Sequence, residues 1–369
     1  MPVPLIVPAA APTRLDPVER AAVSEAIERV VMDGPWIGGA PVEQFESDFA
    51  SYLGANEVVS VGNGTDALAI ALASLDLPPG GGILVAADDG GYSATAARQV
   101  GLEPIVMDVD AQTLMPTVET ADAAMTSTTV AVVVTHLHGD AVDLSALNVW
   151  RRAHGLRLIE DCAQAAGLRI AGAHVGLVGD AATFSFYPTK NLAAIGDGGA
   201  IVFADSVLAV RARVLAQYGW TERYRIGVSG GRNSRLDSLQ AAILSARLTF
   251  LDGRNLKRRA ISARYRETLA PLARLYGDAA TTIAHHAVVV GDDRDGLSAH
   301  LAARGVQSAQ HYPYLVGEMP GLALSHPAPT PVAARLRNQS LSVPCFPEMT
   351  EVEIDQVLSA FEEWINVGV

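Results

Sequence analysis

The segment SFYPTKNLAAIGDGG (185–199) sets one lysine, Lys190, between a strand-like run and a glycine-rich loop. Of the 27 basic residues only Lys190 and Lys257 are lysines; all others are arginines. An arginine cannot give up its proton in a protein and so cannot act as an amine nucleophile. A lysine can, and its neutral amine forms a Schiff base with a carbonyl compound. Lys257 lies in a helical run of basic residues and reads as an ordinary solvated group.

Further segments offer complementary chemistry. In GNGTDAL (62–68), Gly62 and Gly64 permit close backbone approach, and Thr65 and Asp66 open a helix whose first amides favour a phosphate. The stretch is neither a Walker A loop nor GxGxxG, and a capped helix start explains it equally well. In LIEDCAQAAG (158–167), two acids end a buried strand, where a carboxylate needs a cationic partner. A protonated pyridine nitrogen, as in pyridoxal phosphate (PLP), is one such partner; a helix cap or a metal ligand are the alternatives. His136 and His138 would share one side of a strand, but no third ligand follows at a recognisable spacing, so no metal is expected. Asp88–Asp89 beside Gly90–Gly91 reads as a turn, with Tyr92 placed to stack on a ring.

The elements that must position these residues alternate regularly. Helices are expected over 15–32, with Asp16 as N-cap and Pro17 first, and over 41–54. Val- and Ile-rich strands follow at 57–62, 82–87, 104–109, 129–137, 156–161, 181–186 and 199–204, most separated by helices. Such runs, apolar on both faces, indicate an α/β protein with a mostly parallel sheet flanked by helices. Ligands of these sheets bind beyond the carboxyl ends of the strands, so GNGTD, ADDGGY, HLHGD and EDCAQ should open on one face. Beyond a Gly- and Arg-rich loop (221–235), residues 236–270 read as one long helix bent near Gly253. A boundary inside it separates a large domain, 1–250, from a small α+β C-terminal domain, 251–369.

A net charge of −13 argues against nucleic-acid or anionic-membrane binding, which need a basic face, but not against a phosphorylated small ligand. Cys162 and Cys345 match no zinc or disulfide spacing and read as reduced, buried thiols. No apolar run nears bilayer length and the N-terminus lacks a basic n-region, so a cytoplasmic protein is expected.

The order of these features resembles a fold-type I PLP enzyme, and more closely the DegT/StrS family of sugar aminotransferases. The likeness spans about residues 14–365 and is carried by GPWIGGAPVEQFESDFASYLGA, GNGTDALAIAL, EDCAQAAG, SFYPTKNLAAIGDGGAIV, GRNSRLDSLQAAIL, HYP and LSVPCFPEMTEVEIDQV. The resemblance implies that Lys190 holds PLP and later moves a proton, while Asp161 pairs with the pyridinium nitrogen. It implies that Tyr92 stacks on the ring, that Gln164 lies near it, and that Gly64, Thr65 and Ser185 hold the phosphate. Asn233 would reach the cofactor of a partner subunit, which requires a homodimer. Trp36, His311 and Tyr312 are the expected substrate contacts.

The implied reaction passes an amino group from an amino acid, usually glutamate, to a keto group of a nucleotide-linked sugar. The wording of NSRLDSLQAAIL and KNLAAIGDGGA looks most like members acting at C3 of TDP-linked 3-keto-6-deoxyhexoses. A 4-keto sugar, a cyclitol and a non-catalytic regulatory role are the alternatives; a dehydratase relative would carry histidine in place of Lys190. Three stretches depart from the family wording. HLHGD carries His138 and Asp140 for Tyr and Gln, AADDGGY replaces an apolar stretch with Pro and Thr, and Leu315 and Gly317 follow HYP. These departures are expected near the substrate mouth.

Overall fold

The structure is a computed structural model that describes residues 6–270, 273–325 and 328–367. Its strands are β1 (Glu57–Val61), β2 (Gly82–Ala86), β3 (Glu103–Met107), β4 (Thr129–Thr135), β5 (Arg157–Asp161), β6 (Arg169–Ile170), β7 (Ala173–His174), β8 (Ala181–Ser185), β9 (Gly199–Phe203), β10 (Trp220–Glu222), β11 (Arg225–Ile226), β12 (Arg274–Leu275), β13 (Ala287–Val290) and β14 (Ser340–Val343). Its helices are α1 (Pro17–Asp33), α2 (Ala40–Leu53), α3 (Gly64–Ser74), α4 (Tyr92–Gln99), α5 (Val118–Ala124), α6 (Leu144–Ala153), α7 (Ser206–Ala216), α8 (Ser238–Leu248), α9 (Leu251–Leu269), α10 (Arg294–Ala303), α11 (Pro331–Gln339) and α12 (Glu351–Val367).

Seven strands form the main sheet in the order β1-β9-β8-β5-β4-β2-β3. Adjacent pairs from β8 to β3 are parallel, and β9 runs antiparallel to both β8 and β1. The expected mostly parallel sheet is therefore present. Side-chain alternation divides its two faces between separate cores. Ala181, Ile201 and Phe203 pack with α3 and α7, while Ala182, Phe184, Ala200 and Val202 pack with α2 and α8. A third cluster combines Val7 with residues from Ile261 to Phe361 and covers the small sheet β12-β13-β14. No helix among the described residues is long and apolar enough to cross a membrane.

Local differences from the sequence reading have local causes. The expected strand over 129–137 stops at Thr135, because His138 takes a left-handed φ of 60° and a tight turn closes from Asp140 N–H to Leu137 O at 3.0 Å. His136 and His138 therefore do not share a strand face. The long helix does not bend at Gly253 but divides after Leu248. There the Phe250 amide reaches back to Arg247 O at 3.0 Å and the Thr249 hydroxyl to Ala246 O at 3.0 Å. This tight final turn ends α8. The loop at 221–235 begins with the β10–β11 hairpin, and the proline-rich stretch holds α11 and β14, neither of which has a distinct periodic signal.

The expected cap of α1 is present: Asp16 accepts from Val18 N–H at 2.9 Å, with Pro17 first in the helix. Glu19 one turn on is 1% exposed and ties α1 to α8 and α9. It accepts from Arg247 Nε at 2.8 Å and Arg254 Nη1 at 2.6 Å. Replacing Glu19 by Ala leaves two sparsely solvated guanidinium groups without their common partner. The expected loss is about 3–5 kcal/mol, read as a lower urea midpoint at unchanged slope.

Candidate active site

A cavity of about 500 Å³ opens at the carboxyl ends of the parallel strands. Its lining includes Gly64 and Thr65 after β1, Asp89 and Tyr92 after β2, Thr135 ending β4, Asp161 and Gln164 at the end of β5, Ser185 ending β8, and Lys190. Three of the four expected loops converge here; no residue of HLHGD (136–140) lines the cavity, and that loop touches the site through a backbone contact described below. His285, His286, His311 and Tyr312 close the opposite side from the C-terminal part of the chain.

Lys190 is held by a turn in which its own amide donates to Tyr187 O at 2.8 Å. Burial pushes its amine down to about 8, against the opposing pull of the Asp161 charge. Asp161, 4% exposed, accepts from Ala163 N–H at 2.9 Å. Burial raises its carboxyl above the ordinary value, while that amide, Lys190 and His136 draw it back. The second acid of the pair has a different task. Glu160 is fully buried and accepts from the amides of Gly176, Val178 and Gly179 at 2.7–2.8 Å, with His136 Nε2 at 3.2 Å. Against the upward push of burial, these bonds hold its carboxyl below the ordinary value. His136, Glu160 and Cys162 bring potential ligand atoms within 4.8 Å of one another, but Glu160 is already saturated by donors. Cys162 and Cys345 are both free and buried, as expected.

The PLP test is geometric. At Gly64 an added Cβ would lie 2.6 Å from Ser185 Cβ, so only glycine lets the start of α3 meet the end of β8. Asn63 caps the helix by accepting from Asp66 N–H at 2.8 Å. The first amides, of Gly64 and Thr65, have no carbonyl within the helix, and both residues line the cavity together with Ser185. That cradle suits a phosphate. A half-buried lysine and a buried carboxyl lining the same cavity suit the carbonyl and pyridine ends of PLP. The residues present fit the cofactor.

Gln164 is fixed at both ends: its Oε1 accepts from His138 N–H at 2.6 Å, and its Nε2 donates to Tyr312 Oη at 3.0 Å. Tyr92 meets Tyr312 edge to face at 5.9 Å between ring centres. His311 stacks on His286 at 3.9 Å and hydrogen-bonds Ser342 Oγ at 2.8 Å; His285 pairs with Asn191 Oδ1 at 2.7 Å. Burial, aided by Lys190, pushes His311 down to about 4 and His285 and His286 well below their ordinary value. These imidazoles stay neutral, and Lys190 is the one Lys or Arg among the described lining residues.

Trp36 and Asn233 do not line this cavity; both are exposed on the single chain. Sequence reasoning missed His285, His286, Thr135 and the inward role of Asp89. The histidine doublet before β13 was a visible signal, whereas Thr135 had none. The departures also separate. Only Asp89 lines the Lys190 cavity. His138 packs edge-on against Tyr276 at 4.9 Å, and Asp140 lines a different cavity of about 650 Å³ with Arg266, Arg274 and Tyr276. Leu315 is buried, and neither it nor Gly317 lines the Lys190 cavity. The reason is the turn at His138, which carries the following residues away from the strand end.

Fold and site together define a PLP-dependent aminotransferase of fold type I. The chain belongs to the DegT/DnrJ/EryC1/StrS aminotransferase family, whose model matches residues 17–362. It is 37% identical over 356 residues to dTDP-3-amino-3,4,6-trideoxy-alpha-D-glucose transaminase of Streptomyces venezuelae, covering 94% of this chain and 92% of that one. It is 36% identical to dTDP-3-amino-3,6-dideoxy-alpha-D-galactopyranose transaminase of Aneurinibacillus thermoaerophilus, with coverage of 93% and 95%. The crystal structure of S. venezuelae DesV in complex with a ketimine intermediate superposes with a TM-score of 0.92 at 36% identity, covering 97% of this chain and 98% of that one.

PLP capture needs the neutral Lys190 amine. The rate at which cofactor-free protein gains yellow absorbance should therefore rise with pH through about 8 and then level; a flat profile contradicts a buried amine. Asp140 gives a second test. Burial pushes its carboxyl up to about 7 from an ordinary 3.8, although the nearby Thr282 hydroxyl and a hydrogen bond from the Asp278 amide at 3.2 Å draw it back. The unfolded chain releases this proton at lower pH than the fold does. Stability therefore falls as pH rises from about 4 to 7, and the cost is complete above 7. Asp140→Asn should remove this slope, gaining on the order of 2 kcal/mol over the native protein at alkaline pH and little in acid.

Proposed function

We propose that this aminotransferase moves an amino group from an amino acid, L-glutamate being the expected donor, to the C3 keto group of a TDP-linked deoxysugar. The observation that carries the reading is a half-buried Lys190 and a buried Asp161 lining one cavity, joined to the two relatives named for TDP-3-amino sugars. PLP supplies the electron sink that makes a carbon–hydrogen bond next to nitrogen acidic. Asp161 would hold the proton on the pyridine nitrogen. The Lys190 amine, lowered to about 8 by burial, would take a proton from the donor carbon and return one to the acceptor side near neutral pH. Gln164 and Tyr312 would orient the ring and the substrate, with Tyr92 stacked on the ring, and the neutral histidines exclude water without adding charge. Gly64, Thr65 and Ser185 would anchor the phosphate.

The donor carboxylates and the nucleotide diphosphate call for cationic partners, and among the described lining residues Lys190 is the one Lys or Arg. That supports a homodimer in which Asn233 serves the partner's cofactor and Trp36 a substrate. Large side chains left exposed, among them Trp36 and Ile37 at 70% and 50%, are consistent with it. The third core cluster, drawn apart from Val7 from residues beyond 260, supports reading 251–369 as a small domain beside 1–250. Two free cysteines support a cytoplasmic location.

Incubation with L-glutamate and a panel of 3-keto and 4-keto TDP-sugars tests the assignment. The expected product carries its new amine at C3, and Lys190→Ala abolishes both turnover and the yellow colour. Amination at C4 alone refutes the position, and amination of a cyclitol ketone but no nucleotide sugar refutes the substrate class.

A further inference from the structure

The floor of the cavity holds more polar chemistry than this reaction uses. Asp89 lines the cavity and is 3% exposed. Its Oδ1 accepts from Gly91 N–H at 2.8 Å. Ser93 is close enough to steady the carboxyl but makes no hydrogen bond of good geometry with Oδ2. Thr135 lies in register with Asp161 across β4 and β5, so their side chains leave the sheet on the same face. Thr135 lines the cavity, and its buried hydroxyl has no hydrogen-bond partner among the described residues. Because β4 lies between β5 and β2, Thr135 stands between Asp161 and the turn that carries Asp89. Asp161 and Asp89 are within electrostatic reach of each other.

We propose that Asp89 is a second, positioning carboxylate of the cofactor site, acting through Thr135 and Asp161 on the charge of the PLP ring. This rests on PLP occupying the cavity. One hydroxyl between two carboxyls donates to one of them and accepts from the other when that one is protonated. A negative charge behind Asp161 strengthens its hold on a proton and on any cation it faces. The ionisable groups around Asp89 are Asp88 on its own turn, Asp161 from β5, Tyr312 from the C-terminal part and Tyr92 at the start of α4. None of these is a cation; Lys190, elsewhere in the lining of the same cavity, is the cation they share it with. Burial raises the Asp89 carboxyl to about 6, while Ser93 and the Gly91 amide draw it back. Two glycines with φ of 78° and 82° follow it, and a side chain on Gly90 would strike the rings of Tyr312 and Tyr92. The turn is thereby pressed against the cavity wall with Asp89 inward.

The test is a pH titration of the visible band of the PLP-loaded enzyme, read in wild type, Asp89→Asn, Asp89→Glu, Thr135→Val and the Asn/Val double variant. Removing a nearby negative charge destabilises the protonated, lysine-bound cofactor. Asp89→Asn should therefore lower the titration midpoint by about half a pH unit or more. Asp89→Glu should restore it. Thr135→Val should lower it less, and Asp89→Asn should matter less in the Thr135→Val background. An unchanged midpoint in Asp89→Asn overturns the proposal, as does an equal shift with and without Thr135. Loss of the band in both Asp89→Asn and Asp89→Glu also overturns it, since charge is restored by Glu and packing is not. A wild-type protein that takes up no PLP overturns the cofactor reading and this inference with it.

Discussion

Everything in this molecule turns on desolvating an amine and a carboxyl in one cavity without letting either lose its function. Lys190 is lowered by burial and supported by Asp161; Asp161 is raised by burial and steadied by an amide, Lys190 and His136. Neither group alone would tolerate that site, because an isolated buried charge is costly. The pair holds because β5 and β8 are neighbours, so the strand end bearing Asp161 lies beside the strand that leads to Lys190.

The surroundings keep that balance. Glu160, one residue before Asp161, points to the other face of the strand. There it collects three amides and His136 and locks the segment before β8 onto β5. Adjacent acids in one strand thus divide into a structural anchor and a chemical group, by the two-residue alternation of side chains. Above the cavity the histidines are stacked, hydrogen-bonded and neutral, so they close it without competing with Lys190 for charge. Below it, Gly64 admits Ser185 to the helix start.

Much of this was legible in the sequence. Lysine scarcity singled out Lys190, the strand-end acid marked Asp161, and the Gly-Thr helix start marked the phosphate cradle. The alternation of Val-rich runs with helices foretold the parallel sheet, because each run carries its own burial pattern. What was misread depended on contacts distant in the chain. The HLH segment looked like a strand end, but the loop carrying Ile283 and His286 meets the turn at His138, with amide bonds to Gly139 O at 2.9 Å and His138 O at 3.2 Å. Asp88–Asp89 read as a turn, which it is, yet only the packing of Tyr312 shows which acid faces inward.

The sequence by itself determined the residue types that could do the chemistry, the sheet class and the family, since these rest on local periodicity and on motifs within single segments. The tertiary structure decided which of them share a cavity. It placed Asp89 and Thr135 beside Asp161, moved His138 and Asp140 behind the wall, and left Trp36 and Asn233 outside. Strand order and the degree of desolvation do that sorting. Both arise from contacts between residues far apart in the chain, which no local pattern encodes.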